Sequence, residues 1–379
     1  MESAYPEGDL FGKGGVAMAK TAFVPTATKI KAIGVGGGGC NALNRMVRAD
    51  IQGVEFIAVN TDVQALMASE SPNRVQIGEK CSRGLGAGGD PKRGREAAEE
   101  SIEELKNITS GADMVFIAAG MGGGTGTGAS PLIARMAREG GALTVAIVTK
   151  PFHFEMARRM QIAEEGVEEL EAEVDALIVI PNERLLRITG DKVTVDSAFK
   201  AADDILMNGV RAISEVITVP GLINLDFADV KAILKGAGLC WLSIAHGSGQ
   251  NRVVEAAQAA ISTDLLDVAI HGARGVLYVV AAAPTLTLTE VGQAADVVAA
   301  AVDQEAMVIF GVTLDSRIRD DVRITLVATG FDTAKTVSQS RKDEEFNNLI
   351  KELEADEGRL ESPAYLRRPV SMRRMSPRA

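Results

Sequence analysis

The chain has 379 residues, of which 46% are apolar, 24% charged and 4% aromatic, a composition typical of globular proteins rather than disordered or fibrous ones. At roughly 100–200 residues per domain, this length predicts about two domains. The net charge of −11 argues against nucleic acid as a partner, because an acidic surface repels a phosphate backbone. Three scattered cysteines and three histidines argue against a disulfide framework and against a Cys/His metal site. No apolar run approaches the ~18 residues of a membrane span, so we expect a cytoplasmic protein.

Residues 1–28 show no hydrophobic period and are interpreted as a flexible arm. From residue 29 onward, short apolar runs typical of buried strands alternate with amphipathic helical stretches. The strands are predicted at Ile30–Val35, Val54–Asn60, Val75–Ile77, Met114–Ala119, Leu143–Thr149 and Ala176–Ile180, and the helices at 92–106, 130–139 and 155–174. This alternation predicts an α/β fold with a Rossmann-like parallel sheet, in which ligands lie beyond the carboxyl ends of the strands.

A long helix is predicted over 196–217, and Pro220-Gly221 ends it. A second α/β block follows, with helices near 227–235, 251–261 and 288–302 and strands at Leu239–Ala245, Val276–Ala282, Met307–Thr313 and Arg323–Ala328. The last two strands follow each other without a helix and predict a mixed sheet. We therefore expect an N-terminal domain at 29–195, a central helix at 196–219, a second domain at 220–331, a linker at 332–360 and a tail at 361–379.

Three glycine-rich segments follow predicted strands, at 34–41, 84–91 and 120–128. The third has six glycines in nine residues and precedes a helix predicted to start near Ala129-Ser130. Bare backbone N–H groups at such positions form a concave site for a polyphosphate. The first segment lacks both the strict dinucleotide-binding fingerprint and the lysine of a Walker A loop.

Three motifs resemble those of the tubulin/FtsZ family, which includes bacterial cell-division GTPases. They are Gly122-Gly123-Gly124-Thr125-Gly126-Thr127-Gly128, the phosphate loop Gly36–Asn41 and the segment Ile223-Asn224-Leu225-Asp226-Phe227-Ala228-Asp229-Val230. The similarity runs from about Lys29 to Phe331. The resemblance implies a GTP-binding domain at 29–195 and an activation domain at 220–331. It also implies GTP or GDP as ligand, with Mg²⁺ bound through the phosphates and no metal ligand from the protein.

The resemblance also implies contacts of individual residues with the nucleotide. The α- and β-phosphates and the ribose would be lined by Gly37, Gly38, Gly39, Cys40 and Asn41. The γ-phosphate would be sensed by Ala87, Gly88 and Gly89, and the phosphates would be cradled by Gly124, Thr125 and Gly126. Glu155 and Arg159 would contact the ribose and phosphate region, and Asn182 would also lie at the ribose. Phe199 would stack on guanine, and Asp203 would accept from its N–H edge. From the residues alone, Glu155 and Arg159 also fit a helix salt bridge, and Phe199 also fits a core position. Cys40 departs from the family pattern and would put a thiol beside the nucleotide.

The third motif is implied to be catalytic through Asn224, Asp226 and Asp229. From the residues alone, the two aspartates fit a helix N-cap. In the family this loop inserts into the nucleotide pocket of the next subunit, so hydrolysis occurs between subunits of an open, head-to-tail filament. The resemblance places such a filament at mid-cell, near the inner membrane face.

The tail at 361–379 resembles the family's partner-binding peptide, which implies division proteins that act as membrane tethers. Its five arginines also suit direct contact with anionic lipid.

Two other function classes stay open from the sequence. A nicotinamide-dependent oxidoreductase would use the same sheet, but the Gly122–Gly128 motif and the Asn224–Asp229 segment count against it. A filament protein of the same superfamily that does not hydrolyse GTP is disfavoured by the intact Asn224, Asp226 and Asp229. A hydrolysis assay separates these classes from a GTPase.

Overall fold

The computed structural model describes residues 28–189, 194–218, 221–223, 225–262, 272–314, 318 and 320–331. Four sequence predictions lie outside these residues: the arm up to residue 27, the catalytic candidate Asn224, the linker at 332–360 and the tail at 361–379. No helix among the described residues is long and apolar enough to cross a membrane. The domain boundaries drawn from the sequence stay a prediction.

Ten strands form one sheet in the order β3-β2-β1-β4-β5-β6-β7-β10-β8-β9. The strands are β1 (Ile30–Val35), β2 (Val54–Asn60), β3 (Asn73–Gln76), β4 (Met114–Gly120), β5 (Leu143–Lys150), β6 (Ala176–Pro181), β7 (Gly238–Gly247), β8 (Gly275–Ala282), β9 (Met307–Leu314) and β10 (Val322–Thr329). The first seven pair in parallel, and β10 runs antiparallel to both of its neighbours. The predicted parallel sheet followed by a mixed sheet is confirmed, although β8 lies between β9 and β10.

Helices cover both faces of the sheet. They are α1 (Gly36–Arg48), α2 (Val63–Met67), α3 (Glu79–Ser82), α4 (Pro91–Glu100), α5 (Ile102–Thr109), α6 (Gly124–Glu139), α7 (Ala157–Glu171), α8 (Asn182–Thr189), α9 (Val195–Thr218), α10 (Phe227–Leu234), α11 (Arg252–Ile261) and α12 (Leu288–Ala301). A short 3₁₀ helix, His153–Glu155, precedes α7.

Several helix boundaries differ from the sequence predictions. The helix predicted at 92–106 is two helices, because Ser101 leaves the helical conformation and its hydroxyl accepts a hydrogen bond from the Gly78 N–H at 3.0 Å. The glycine segment at 84–91 does not follow β3 directly, since α3 intervenes. The helix predicted to start near Ala129-Ser130 begins at Gly124, so most of the Gly122–Gly128 motif is helical.

The strand order reverses between β1 and β4, since β2 and β3 lie on one side and β5 and β6 on the other. Such a switch point leaves a crevice beyond the carboxyl ends of the two central strands. Both α1 and α6 begin there, because α1 follows β1 without a break and only three residues separate β4 from α6. The fold therefore places two glycine-rich segments at one edge of the sheet.

The long helix α9 joins the two halves of the sheet. Its buried residues belong to a core cluster that includes Ile147 on β5 and Leu242 on β7. A Cβ built at Gly209 would lie 3.0 Å from the terminal methyl carbons of both. Only a glycine fits this position without moving one of these side chains, so α9 packs closely on both halves.

The two halves of the sheet meet at a short seam. Strands β6 and β7 pair at three positions only, from Ala176 opposite Gly238 to Ile178 opposite Cys240. Beyond the seam, a cavity of about 200 Å³ is bordered by β6, β7 and α9. The hydrogen-bonded ladder between the halves is therefore short, and α9 supplies much of the packing between them.

Candidate nucleotide site

A cavity of about 370 Å³ opens at the carboxyl ends of the parallel strands. This volume is within the range of small-molecule sites, roughly 300–1,000 Å³. Thirteen of the sixteen predicted ligand contacts line it: Gly37, Gly38, Ala87, Gly88, Gly89, Gly124, Thr125, Gly126, Glu155, Arg159, Asn182, Phe199 and Asp203. The fold thus brings together residues that are distant in sequence.

The glycine-rich N-termini of α1 and α6 contact each other at the floor of the cavity. Gly36 has φ +70°, and a Cβ built on it would lie 2.8 Å from the backbone nitrogen of Gly126. A side chain at Gly36 would therefore be strained and would separate the N-termini of α1 and α6. Free N–H groups at two helix N-termini and the positive ends of two helix dipoles face one region, which suits a polyphosphate.

Thr125 fixes α6 to the end of β2. Its hydroxyl lies 2.6 Å from the hydroxyl of Thr61, and both residues are buried. In the same turn, the Thr127 hydroxyl accepts a hydrogen bond from the Gly122 N–H at 2.9 Å. These bonds hold the backbone of the glycine motif in place before any ligand binds, which lowers the entropy lost on binding.

Glu155 and Arg159 form the predicted i,i+4 pair and also line the cavity. Arg159 Nη1 lies 2.8 Å from Glu155 Oε2, and the Glu155 side chain is 8% exposed against 50% for Arg159. Glu155 Oε1 accepts a second hydrogen bond, from the Phe152 N–H at 2.9 Å. The carboxylate thus holds the guanidinium at the edge of the cavity, so the salt-bridge and binding interpretations are compatible.

Phe199 and Asn182 lie on different helices but line the same cavity. The Phe199 ring packs edge-on against Phe152 and Phe154, with centroids 5.4 and 6.3 Å away, and the residue is 40% exposed. It is therefore not a core residue, and the two neighbouring rings fix its orientation. The buried Asn182 Oδ1 lacks a hydrogen-bond partner within the described part of the protein. A buried acceptor of this kind suits an N–H or O–H donor from a ligand.

Asp203 lines the cavity from α9, beside Phe199. Burial raises the pKa of Asp203 to about 6, while the nearby Arg45 opposes that shift and Asp204 adds to it. Arg45 Nε lies 3.4 Å from Asp203 Oδ2. At neutral pH the carboxylate is therefore largely ionised and can accept hydrogen bonds from two adjacent N–H groups.

Three predicted contacts do not line the cavity: Gly39, Cys40 and Asn41. A Cβ built at Gly39 would meet the carbonyl group of Ala118, so this glycine serves the packing of α1 on β4. The Cys40 thiol lies in the core, 3.7 and 3.8 Å from the carbonyl oxygens of Gly34 and Val59, and burial raises its pKa to about 12. The expectation that this thiol lies beside the nucleotide is wrong, because its side chain points beneath the loop.

The sequence interpretation missed polar residues at two strand ends. Asn60 is the last residue of the buried strand β2, Asp62 lies two residues beyond it, and Thr149 lies near the end of β5; all three line the cavity. Asn60 Oδ1 accepts hydrogen bonds from the Thr61 and Asp62 N–H groups, and Asp62 caps α2. The rule that ligands lie beyond carboxyl ends of parallel strands would have found these positions.

Asp226 and Asp229 do not line the cavity. They form a reciprocal capping box on α10, in which Asp226 Oδ1 accepts from the Asp229 N–H at 2.8 Å and Asp229 Oδ2 accepts from the Asp226 N–H at 3.3 Å. The capping role foreseen from the residues is therefore present. Asp226 is exposed and Asp229 half-buried, so both carboxylates are also accessible to another molecule.

The capping box lies at the opposite end of α9 from the cavity. The helix passes the cavity at Asp203 and ends at Thr218, which packs against Gly53 just before β2 begins. From Asp203 to Thr218 the helix rises about 22 Å at roughly 1.5 Å per residue. Backbone hydrogen bonds between Ile223 and Val312 then tie the following loop to β9. The helix thus ends near the amino end of β2, and the loop after it is tied to β9, away from a ligand in the cavity.

Comparison with known proteins gives matches to both halves of the chain. Residues 29–190 match the model of the GTPase domain of the tubulin/FtsZ family, and residues 238–332 match that of the FtsZ family C-terminal domain. An FtsZ dimer from M. jannaschii, described as empty, is 44% identical over 81% of this chain and 90% of its own, with a TM-score of 0.78. A tryptophan-to-tyrosine variant of FtsZ from the same organism covers 81% of this chain and 92% of its own at 44% identity, with a TM-score of 0.79.

More distant structures share the fold. CetZ2 from Haloferax volcanii, in a GTPγS-bound protofilament, is 20% identical over 86% of this chain and all of its own, with a TM-score of 0.70. The two domain matches and the 44% identity to FtsZ extend across both halves of the described structure. On this basis the chain belongs to the tubulin/FtsZ family of GTPases.

Proposed function

We propose that this protein binds and hydrolyses GTP and polymerises head-to-tail, with each active site completed by the next subunit. The observation that carries the proposal is the separation of two sets of groups in one subunit. The cavity has the groups that suit a guanine nucleotide, whereas Asp226 and Asp229 lie at the far end of α9.

The cavity's chemistry changes from one side to the other in the way that GTP requires. The N–H groups of α1 and α6 suit the phosphates, the unpartnered Asn182 Oδ1 suits a ribose hydroxyl or a base N–H group, and Asp203 suits the two adjacent donors of guanine. Adenine offers no such pair of donors. Mg²⁺ would bind through the phosphates of the nucleotide and neutralise part of their charge.

Hydrolysis in this proposal needs no covalent intermediate. Water attacks the γ-phosphorus, the bond to the β,γ-bridging oxygen breaks, and GDP and phosphate leave. Asp226 and Asp229 of the adjoining subunit accept hydrogen bonds from the water and orient it, as expected where positioning dominates phosphoryl transfer. Asn224 belongs to the same sequence motif and is proposed to act with them. These carboxylates do not line their own cavity and follow the end of α9 that lies about 22 Å from Asp203, so they serve a neighbour's nucleotide.

A contact that joins the cavity end of one subunit to the loop end of another is heterologous. Repeated without closure, it gives an open filament. The relative described as an FtsZ dimer and the CetZ2 protofilament show that related chains self-associate. We propose that the filament assembles at the mid-cell division site, on the cytoplasmic side of the inner membrane. Tether proteins, or anionic lipid, would engage the tail at 361–379.

The first experiment measures light scattering and phosphate release together after GTP is added. The proposal expects both signals with GTP, neither with ATP, and scattering that decays as GTP is consumed. Scattering without phosphate release would favour the filament protein that does not hydrolyse GTP. Hydride transfer to a nicotinamide without either signal would favour the oxidoreductase.

Two variants test whether the site is shared. Asp229→Ala should bind GDP with nearly wild-type affinity but release phosphate orders of magnitude more slowly. Asp229→Asn is its control, because the amide oxygen can still cap α10 but carries no charge. Gly123→Asp should abolish nucleotide binding, because its backbone is extended, a Cβ there meets no atom within 4 Å, and the new carboxylate would enter the phosphate site.

Mixing Asp229→Ala with Gly123→Asp should restore modest GTPase activity. The first variant binds GTP and the second supplies intact aspartates, so one of the mixed junctions is competent. No recovery at any ratio, although both variants co-sediment with wild-type filaments, would show that the site acts within one subunit. Loss of GDP binding in both Asp229 variants would show that Asp229 serves only as a structural helix cap.

A further inference from the structure

Arg45 contacts two consecutive acidic residues of α9. Its Nε lies 3.4 Å from Asp203 Oδ2, and its Nη1 lies 2.5 Å from Asp204 Oδ1. Asp203 lines the cavity, whereas Arg45 and Asp204 do not. The arginine therefore reaches Asp203 from the protein side and leaves the cavity side of the carboxylate to a ligand.

Arg45 is held in this place from two directions. It belongs to α1, the helix whose first residues line the cavity, and its side chain is 23% exposed. The ion pair with the more exposed Asp204 fixes one end of the guanidinium. Because the guanidinium is planar and rigid, this bond also fixes the direction of Nε toward Asp203.

Other charged groups near Asp203 are engaged elsewhere. Glu155 and Arg159 pair with each other at the edge of the cavity, and Asp62 caps α2. On α9 itself, Lys200 pairs with Asp196. Among the residues that the structure describes, Arg45 is the cation within 4 Å of Asp203.

The ionisation of Asp203 matters for recognising guanine. A carboxylate accepts hydrogen bonds at both oxygens, but a protonated carboxyl group presents a donor and faces two donors on the base. Burial raises the pKa of Asp203 to about 6, and Arg45 opposes this shift. Without the arginine, the protonated form would become common near neutral pH.

We propose that Arg45 is a positioning residue that keeps Asp203 ionised and directed at the base, and thereby sets the preference for guanine. The inference rests on the proposed function, since it assumes a guanine nucleotide in the cavity. Hypoxanthine lacks the 2-amino group of guanine, so the ratio of GDP to IDP affinity reports the second hydrogen bond.

The test measures GDP and IDP affinity by calorimetry at pH 6, 7 and 8. Arg45→Gln removes the charge and Arg45→Lys keeps it. Arg48→Gln is the matched control, because Arg48 lies one turn further along α1 and pairs with Glu70 outside the cavity. Comparing each variant with the wild type at one pH cancels the titration of the nucleotide itself.

Loss of the arginine should raise the pKa of Asp203 by about one unit, the low end of the effect expected for such a pair. GDP affinity of Arg45→Gln should then fall about twofold at pH 7 and about fivefold at pH 6, with little change at pH 8. For the same variant, the ratio of GDP affinity to IDP affinity should fall most at pH 6, less at pH 7 and little at pH 8. Arg45→Lys and Arg48→Gln should follow the wild-type pH profile.

Equal loss of GDP and IDP at all three pH values would assign Arg45 a purely structural role and overturn the inference. A profile for Arg45→Lys like that of Arg45→Gln would overturn it too, since charge would then not matter. If circular dichroism shows that Arg45→Gln is unfolded, the pH dependence of the GDP/IDP affinity ratio of the wild type tests the inference instead. A loss of GDP/IDP preference with a midpoint near pH 6 supports the inference, and a ratio unchanged down to pH 5 overturns it. Wild-type protein that binds no guanine nucleotide would instead refute the proposed function.

Discussion

The contact between α4 and α6 predicts that Gly94→Ala destabilises the protein and weakens nucleotide binding together. A Cβ built at Gly94 would lie 2.8 Å from the carbonyl carbon of Gly124, closer still to its oxygen, and 3.1 Å from the Cα of Thr125. All three are backbone atoms of the glycine motif, which no rotamer change can move aside. The two helices would have to separate by about 1 Å to reach ordinary van der Waals distances.

Two opposing terms set the size of the effect. Replacing a helical glycine with alanine gains about 1 kcal/mol of helix propensity. Overpacking costs about 1–3 kcal/mol, and a clash between backbones belongs at the upper end of that range. We therefore expect Gly94→Ala to lower the free energy of unfolding by about 2 kcal/mol. The displaced N-terminus of α6 would also lose hydrogen bonds to phosphate, each worth about 1.5–3 kcal/mol, so GDP should bind at least tenfold more weakly.

Gly292→Ala is the matched control, because Gly292 lies within α12 and a Cβ there meets no atom within 4 Å. Only the propensity term applies, so this variant should be about 1 kcal/mol more stable than the wild type with unchanged GDP affinity. Urea unfolding and GDP calorimetry measure both quantities. If Gly94→Ala matched Gly292→Ala in stability and affinity, the proposed role of the α4–α6 contact would be refuted.

Three further outcomes are expected. Asp203→Ala should weaken GDP binding by about tenfold or more and remove the preference over ADP, while Asp196→Ala, on the same helix but paired with Lys200 outside the cavity, keeps it; unchanged selectivity of Asp203→Ala by calorimetry would exclude Asp203 from the base site. Titration with a thiol reagent should modify Cys81 quickly and the other two cysteines only after unfolding, because they are buried; a second fast thiol would contradict this. Glu290→Gln should lower the free energy of unfolding by about 3 kcal/mol at pH 7, because it leaves Arg252 buried without its counter-ion. Arg252 lowers the pKa of Glu290, so the difference in stability between the wild type and Glu290→Gln should be complete above pH ~5 and should vanish as the pH falls through the lowered pKa. A difference in urea unfolding that does not change with pH would contradict the pairing.

The sheet and the long helix were predictable because their signals are local. The apolar runs of β1, β4 and β5 coincide with the observed strands to within one residue, and the stripe over 196–217 gives α9 to within one residue. Burial on both faces requires such runs in a parallel sheet, so the pattern leaves little alternative. The short helices α2 and α8 were missed, because five and eight residues are too few for a clear period.

The start of α6 could not be predicted from propensity. Gly124, Gly126 and Gly128 are poor helix formers, yet the helix begins at Gly124. Close packing decides the matter: a Cβ at Gly128 would overlap the carbonyl group of Pro91, so small residues are required where α6 meets α4. Tertiary contact thus overrides local preference at the site.

Sequence motifs predicted most of the residues of the candidate site, but they did not predict which of their side chains contact one another. The side chain of Cys40 could point toward the ligand or the core, and only the packing of α1 on the sheet decides this. The ion pair between Arg45 and Asp204 joins residues 159 positions apart. A sequence without an alignment carries no signal for such a contact.

The short seam between β6 and β7 has a consequence for dividing the gene. One core cluster joins the sheet around β1 and β5 to the inner face of α9, so α9 shields apolar surface of the N-terminal half. A fragment that stops at Thr189 would expose that surface and should aggregate, whereas one that continues through Thr218 keeps it covered. Because β6 and β7 pair at three positions only, the break costs few hydrogen bonds. A split reporter built from this protein is therefore best cut after α9, with the long helix kept on the nucleotide-binding piece.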